Sequence, residues 1–154
     1  MIEPKTRGLI GPQLPASTRH LKFGDQLRQF AQVVGKRINV VHRDVSIKLF
    51  NAIIMDTPVD TGEARGGWNA SMEMPDLRET GRLDPTGSQA MADVNVTIKA
   101  DRSKVAYLSN SVEHIVPLEY GWSKQAPEGM VRMNVVRFQS MMAEAIRQAK
   151  EKTK

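Results

Sequence analysis

The longest regular pattern of apolar positions covers residues 25–55 and predicts one long helix. Steps of three and four residues repeat throughout, so the apolar side chains form one continuous stripe on a helix. Asp25 can accept from the free N–H groups of the first turn. Pro58 ends the pattern, since the residue before a proline is driven out of helical geometry. A break is possible near Gly35 because glycine lowers helix propensity. The stripe consists of Leu27, Phe30, Ala31, Val34, Ile38, Val41, Val45, Leu49, Ala52 and Ile53.

Two shorter stretches, residues 67–72 and 105–110, predict strands. The first alternates large apolar with small polar side chains, which is typical of a half-buried strand. Residues 73–85 are polar and contain prolines and a glycine, which indicates an exposed loop. Residues 86–99 fit both a helical face and strand alternation, and a short helix is the favoured interpretation.

The C-terminal third predicts a short helix or turn over residues 112–120 and a last helix over residues 129–150. Pro117 limits the length of the first unless it lies in the first turn. Apolar residues recur every three to four positions in the last helix. Glu128 at its start and Lys150 near its end suit the helix dipole.

These elements predict an α+β fold, with a small antiparallel sheet packed against a long N-terminal helix and a C-terminal helix. Two strands do not form a stable sheet alone, so either a third strand is missed or neighbouring subunits complete the sheet. Residues 23–154 are expected to form a single domain. Residues 1–22 are Pro- and Gly-rich and are predicted to be an extended arm, either a disordered terminus or a segment that orders against a neighbouring subunit.

Composition narrows the classes of function. The 154 residues carry a net charge of +5, and a basic chain can bind nucleic acid, so a basic nucleic-acid-binding module is the alternative function. The basic residues are spread along the chain without a concentrated run. The absence of cysteine excludes disulfides and thiolate metal sites. No apolar run reaches the length of about 20 residues that a membrane span needs, which predicts no membrane association.

Catalytic patterns are weak. Asp60, Thr61 and Gly62 match the Asp-Thr-Gly of aspartic proteases, which need two such carboxylates buried between apolar strands. Here a charged, glycine-rich stretch follows, so we predict a turn in which Gly62 takes a positive φ. Asp56, Asp60 and Glu63 are close in sequence, but a solvated loop is a better interpretation than a Mg²⁺ site. The three histidines, His20, His42 and His114, have no metal-ligand spacing. We expect no enzyme activity, cofactor or metal.

The two tryptophans, Trp68 and Trp122, each follow a glycine. Glycine allows another backbone to approach closely, and tryptophan buries a large area. Core packing is the favoured interpretation for both, and a subunit interface is the alternative.

Two blocks of this sequence resemble the tail-completion, neck or minor tail proteins of long-tailed bacteriophages, similar to the Z-type tail completion family of lambda-like phages. The first block is residues 56–62, followed by Arg65, Gly66 and Trp68. The second runs from residues 107–110 to the distinctive residues 118–127 and then 129–132. It includes Leu118, Glu119, Tyr120, Gly121 and Trp122. The resemblance covers about residues 23–150 in element order and does not include the arm.

The resemblance implies a virion structural protein at the head-proximal end of the tail, assembled in the host cytoplasm. Such proteins form a homo-oligomeric ring, here expected to be a hexamer, and help a finished tail join a filled head. The implied partners are the tail terminator or tail tube and the head-completion or connector proteins. DNA in the ring channel is a further candidate partner. No catalytic residues come with the family. Residues 56–62 would then be a structural turn, and residues 119–122 would fix the entry to the last helix.

Overall fold

A computed structural model describes residues 23–152, and the predicted α+β class is confirmed. A long helix comes first, a two-stranded antiparallel sheet lies in the middle of the chain, and helices end it. In chain order the elements are α1 (Phe23–Asp56), α2 (Glu63–Gly66), β1 (Trp68–Met72), α3 (Ser88–Thr97), β2 (Ala106–Asn110), α4 (Ile115–Glu119), α5 (Val131–Val136) and α6 (Phe138–Lys152).

The structure divides after Ile38 into two compact units, and α1 begins in the first and ends in the second. In the first unit the helix continues through Gly35, so the predicted long helix is confirmed without a break there. Asp25 pairs with Arg28 one turn later at 2.9 Å; the Arg28 side chain is largely exposed and that of Asp25 is half-buried. The predicted arm, residues 1–22, lies outside the described residues.

The core of the second unit lies between the sheet and the helices. Ile54, Val94, Ile98 and Met130 are fully buried at its centre. One sheet face packs against it, through Trp68, Ala70, Met72, Ala106 and Leu108.

Strands β1 and β2 are the only strands in residues 23–152, so no third strand was missed there. Trp68 lies opposite Asn110, and Met72 lies opposite Ala106. Helix α3 packs against β1, and this helix packing supplies the support that a two-stranded sheet lacks on its own.

The loop between β1 and α3 is only partly the exposed loop that the sequence predicts. Leu77 and Leu83 are exposed, as expected, but Asp84 is 2% exposed. Its carboxylate accepts from the N–H groups of Gln89 and Ala90 at 2.9 and 3.1 Å. Burial alone would raise the pKa of Asp84, but these hydrogen bonds, together with those from Thr86 and Gly87, outweigh it and lower the pKa. The buried carboxylate of Asp84 therefore binds free N–H groups in the first turn of α3. The helical interpretation of residues 86–99 is confirmed, with the helix at Ser88–Thr97.

The prediction of one continuous last helix over residues 129–150 is wrong in one respect. The helix breaks at Arg137 into α5 and α6. No proline or glycine marks the break. Instead, tertiary contacts hold α5 in place: buried Asn134 donates to Asp56 at 2.8 Å, and Arg137 pairs with Asp56 at 3.3 Å. Helix α6 buries two small residues, Ala145 and Ala149.

Candidate assembly surface

The first sequence block closes the C-terminal end of α1. The indole Nε1 of Trp68 donates to Thr57 Oγ1 at 2.8 Å, and Thr57 Oγ1 donates to the Ile53 carbonyl at 2.7 Å. Arg65 donates to the carbonyl of Met55, in the last turn of α1, and to that of Thr57, just after the helix. Carbonyls in the last turn of a helix have no partner within the helix. Trp68 is 6% exposed and Thr57 is fully buried. The core interpretation of Trp68 is therefore confirmed.

Residues Asp60, Thr61 and Gly62 form the turn into α2. Gly62 has a φ of +90°, as predicted, and a Cβ there would lie 2.5 Å from the backbone nitrogen of Pro85. Thr61 Oγ1 accepts from the N–H of Glu63 at 3.3 Å. Asp60 is exposed and not enclosed by apolar strands, so the turn lacks the buried carboxylate of an aspartic protease.

The fold brings the two sequence blocks into contact through Gln125. Its side-chain amide donates to the Val59 carbonyl at 2.8 Å and accepts from the Val59 N–H at 2.9 Å. An open cavity of about 300 Å³ lies beside this pair. It is lined by residues 58–62 of the first block, by Glu63 and Ala64, and by His114, Leu118, Ser123 and Gln125. The sequence does not single out Gln125 among residues 118–127. A side-chain amide that forms two hydrogen bonds with a distant backbone leaves no local pattern.

Glu119 fixes the start of α5. Its carboxylate accepts from the N–H groups of Met130, Val131 and Arg132 at 2.9, 2.8 and 3.0 Å. The Arg132 guanidinium also donates to it at 3.1 Å. These groups are the free donors of a helix N-terminus, which favours an anion. Burial alone would raise the pKa of Glu119, but the hydrogen bonds outweigh it and hold the pKa below its ordinary value.

Replacing Glu119 with glutamine is expected to change the pH dependence of stability. Because the folded pKa is lowered, the carboxylate stabilises the fold above the ordinary glutamate pKa of about 4.3. That stabilisation is lost as pH falls through the folded pKa. Glu119→Gln should cost about 1–2 kcal/mol at neutral pH, as for a lost helix cap, and the deficit should shrink in acid. Urea unfolding at pH 7 and pH 3 measures this. Glu128→Gln, at an exposed site, is the control, and a deficit equal at both pH values would contradict the role of Glu119.

Helix α4 ends in a Schellman motif that points Trp122 outward. The N–H of Gly121 donates to the Leu118 carbonyl, and the N–H of Trp122 donates to the Pro117 carbonyl, both at 3.2 Å. Gly121 has a φ of +86°, which a glycine adopts without strain. The apolar residue after this glycine usually packs back on the helix, but Trp122 is 81% exposed. The core interpretation of Trp122 is therefore wrong.

Trp122 is one of three exposed apolar residues in or just after α4, namely Val116, Tyr120 and Trp122, which we call the aromatic surface. Val116 and Tyr120 lie four residues apart across α4, so they share one face. They are 60% and 67% exposed. The Arg132 guanidinium lies 5.0 Å from the centre of the Tyr120 ring, within cation–π range. The aromatic surface is therefore exposed, but it sits on a backbone held at several points.

The close packing of two glycines explains how that backbone is held. A Cβ at Gly121 would collide with the carbonyl of Pro127, and one at Gly129 would collide with the carbonyl of Glu119. The turn between α4 and α5 therefore folds back on itself. Glu119 and Gly121, from the stretch predicted to fix the entry to the last helix, are the residues at which it closes.

Comparisons with protein-family models, curated proteins and solved structures find no match. Among residues 23–152, no helix is long and apolar enough to cross a membrane. Across the same residues, no three His, Asp or Glu side chains converge as a metal site would require. Asp56 instead contacts Asn134 and Arg137. His114 lines the cavity, His42 lies on α1, and His20 falls outside the described part.

Proposed function

We propose that this chain is a structural subunit of a bacteriophage virion at the head-proximal end of the tail. In this role it forms a homo-oligomeric ring, for which we propose six copies, that completes the tail and joins it to the head. Its neighbours would be the tail terminator or tail tube and the head-completion or connector proteins. Two blocks resemble tail-completion proteins and support this place in the virion: residues 56–62 with Arg65, Gly66 and Trp68, and residues 107–110, 118–127 and 129–132.

The observation that carries the proposal is the exposed Trp122 on a well-held turn. Tryptophan and tyrosine are enriched among the residues that dominate protein–protein binding. A side chain that is 81% exposed contributes little to the folding stability of its own chain. Because its backbone is fixed by the Schellman motif, little conformational entropy is lost when a partner covers it. These properties suit a contact in an assembly.

A nucleic-acid-binding module has less support, because many cations are already paired. A phosphate-binding surface needs lysine and arginine side chains that face the ligand together. In residues 23–152, nine such side chains pair with carboxylates, and Arg65 donates to backbone carbonyls. The nine are Arg28, Arg43, Lys48, Arg78, Arg82, Lys104, Arg132, Arg137 and Lys152.

A genetic complementation experiment tests the proposed function. An early stop codon in the gene for this chain should yield DNA-filled heads and separate tails, counted by electron microscopy of the lysate. Supplying the wild-type chain from a plasmid should restore joined particles. Infectious particles that form at the normal level without the chain would overturn the proposal.

A further inference from the structure

The chain on the C-terminal side of Trp122 closes a turn of its own before it reaches α5. The Gln125 N–H donates to Ser123 Oγ, and the Ala126 N–H donates to the Ser123 carbonyl, both at 3.2 Å. Both bonds are local, so neither fixes this turn relative to another element. Ala126 is buried, but the burial of a methyl group is not directional. The orientation of the turn therefore depends on a further polar contact.

The side chain of Gln125 supplies that contact. Its amide donates to the Val59 carbonyl at 2.8 Å and accepts from the Val59 N–H at 2.9 Å. Within the described residues, no other hydrogen bond joins residues 121–127 to a residue outside 115–130. Because the donor and the acceptor belong to one planar amide, the two bonds together fix both distance and orientation.

The backbone of Val59 is a firm partner, because its segment is held on both sides. Thr57, two residues before it, is fully buried. Three residues after it, the Gly62 carbonyl accepts from the N–H groups of Gly66 and Asp84 at 2.8 and 3.1 Å. A contact with Val59 therefore joins the turn after Trp122 to the well-packed end of α1.

We propose that Gln125 is a positioning residue for Trp122, and that its two bonds with Val59 set the direction in which the exposed indole meets a partner. The value of that direction for assembly rests on the proposed function, whereas the hold of Gln125 on the turn does not. Gln125 is itself exposed. Water competes for its amide, so the two bonds contribute modestly to folding stability. Their loss should act on the turn more than on the fold.

Hydrogen exchange of the purified chain tests the hold on the turn. Gln125→Met keeps the length of the side chain and removes both bonds. The amides of Val59 and Trp122 should each exchange about tenfold faster, while the melting temperature should change by no more than about 2 °C. Lys124→Met, at the exposed neighbouring residue, is the control and should leave both rates unchanged.

A second variant removes one bond only. Gln125→Glu can accept from the Val59 N–H but, when ionised, cannot donate to the Val59 carbonyl. It should therefore loosen the Trp122 amide less than Gln125→Met does. A wild-type exchange rate for Trp122 in both variants would show that Gln125 does not hold the turn. Unfolding of both variants would make Gln125 a structural residue and would equally contradict the proposal.

Binding to tails made without this chain tests whether Gln125 acts through Trp122. Gln125→Met should weaken binding by about 5- to 30-fold in the wild-type chain, but by less than about twofold once Trp122 is alanine, since coupled residues are not additive. Equal losses in the two backgrounds would overturn the positioning role. Failure of the wild-type chain to bind tails would instead count against the proposed function, and the exchange rates would then decide whether Gln125 positions Trp122.

Discussion

Replacing Trp68 with alanine should lower the free energy of unfolding by about 3–5 kcal/mol, the usual cost for a buried tryptophan. Two effects add at this position. The change leaves a cavity in the core cluster to which Trp68 and Ile54 belong, and it removes the indole donor from Thr57 Oγ1. Urea unfolding of the purified chain measures the loss directly.

Trp122→Ala is the matched control, since it removes the same side chain from an 81% exposed site. It should change the free energy of unfolding by no more than about 0.5 kcal/mol. Trp68→Phe should give an intermediate loss, because it keeps most of the apolar volume but not the N–H donor. Equal losses for Trp68→Ala and Trp122→Ala would mean that the assigned burial of these two residues is wrong.

The second large effect is expected on assembly. In the proposed assembly Trp122 is a central contact between this chain and the tail. Trp122→Ala should therefore weaken binding to the tail by about 2–4 kcal/mol, as at other interface hot spots. This corresponds to a roughly 30- to 1,000-fold weaker association. The measurement is the binding of purified chain to tails made without it, followed by co-sedimentation.

Two variants separate a specific contact from a general loss of apolar surface. Trp122→Phe keeps an aromatic ring and should retain most of the binding. Val96→Ala shortens an apolar side chain on α3 that is 69% exposed and should bind like the wild type. Normal tail binding by a folded Trp122→Ala variant would remove the aromatic surface from the assembly contact, while the complementation experiment would still test the place of the chain in the virion.

Local patterns predicted most of the elements. The stripe in α1, the alternation in β1 and the glycine of the turn at Gly62 follow from side-chain periodicity and from the few residues that allow a positive φ. The break at Arg137 was not predictable in this way. It depends on the contacts of Asn134 and Arg137 with Asp56, far away in sequence, and no local propensity encodes such a contact.

The two tryptophans show that the sequence alone does not determine which side chains are buried. Both follow a glycine and have the same chemistry, so the sequence determined that each is a large apolar group on a tight backbone, within an α+β chain with one long helix. Only the tertiary structure decided that Trp68 lies over Thr57 in the core and that Trp122 faces outward. The reason is that burial depends on which distant surfaces meet: Arg65 and Thr57 bring Trp68 to the end of α1, whereas the Schellman motif after α4 turns Trp122 away from its own helix.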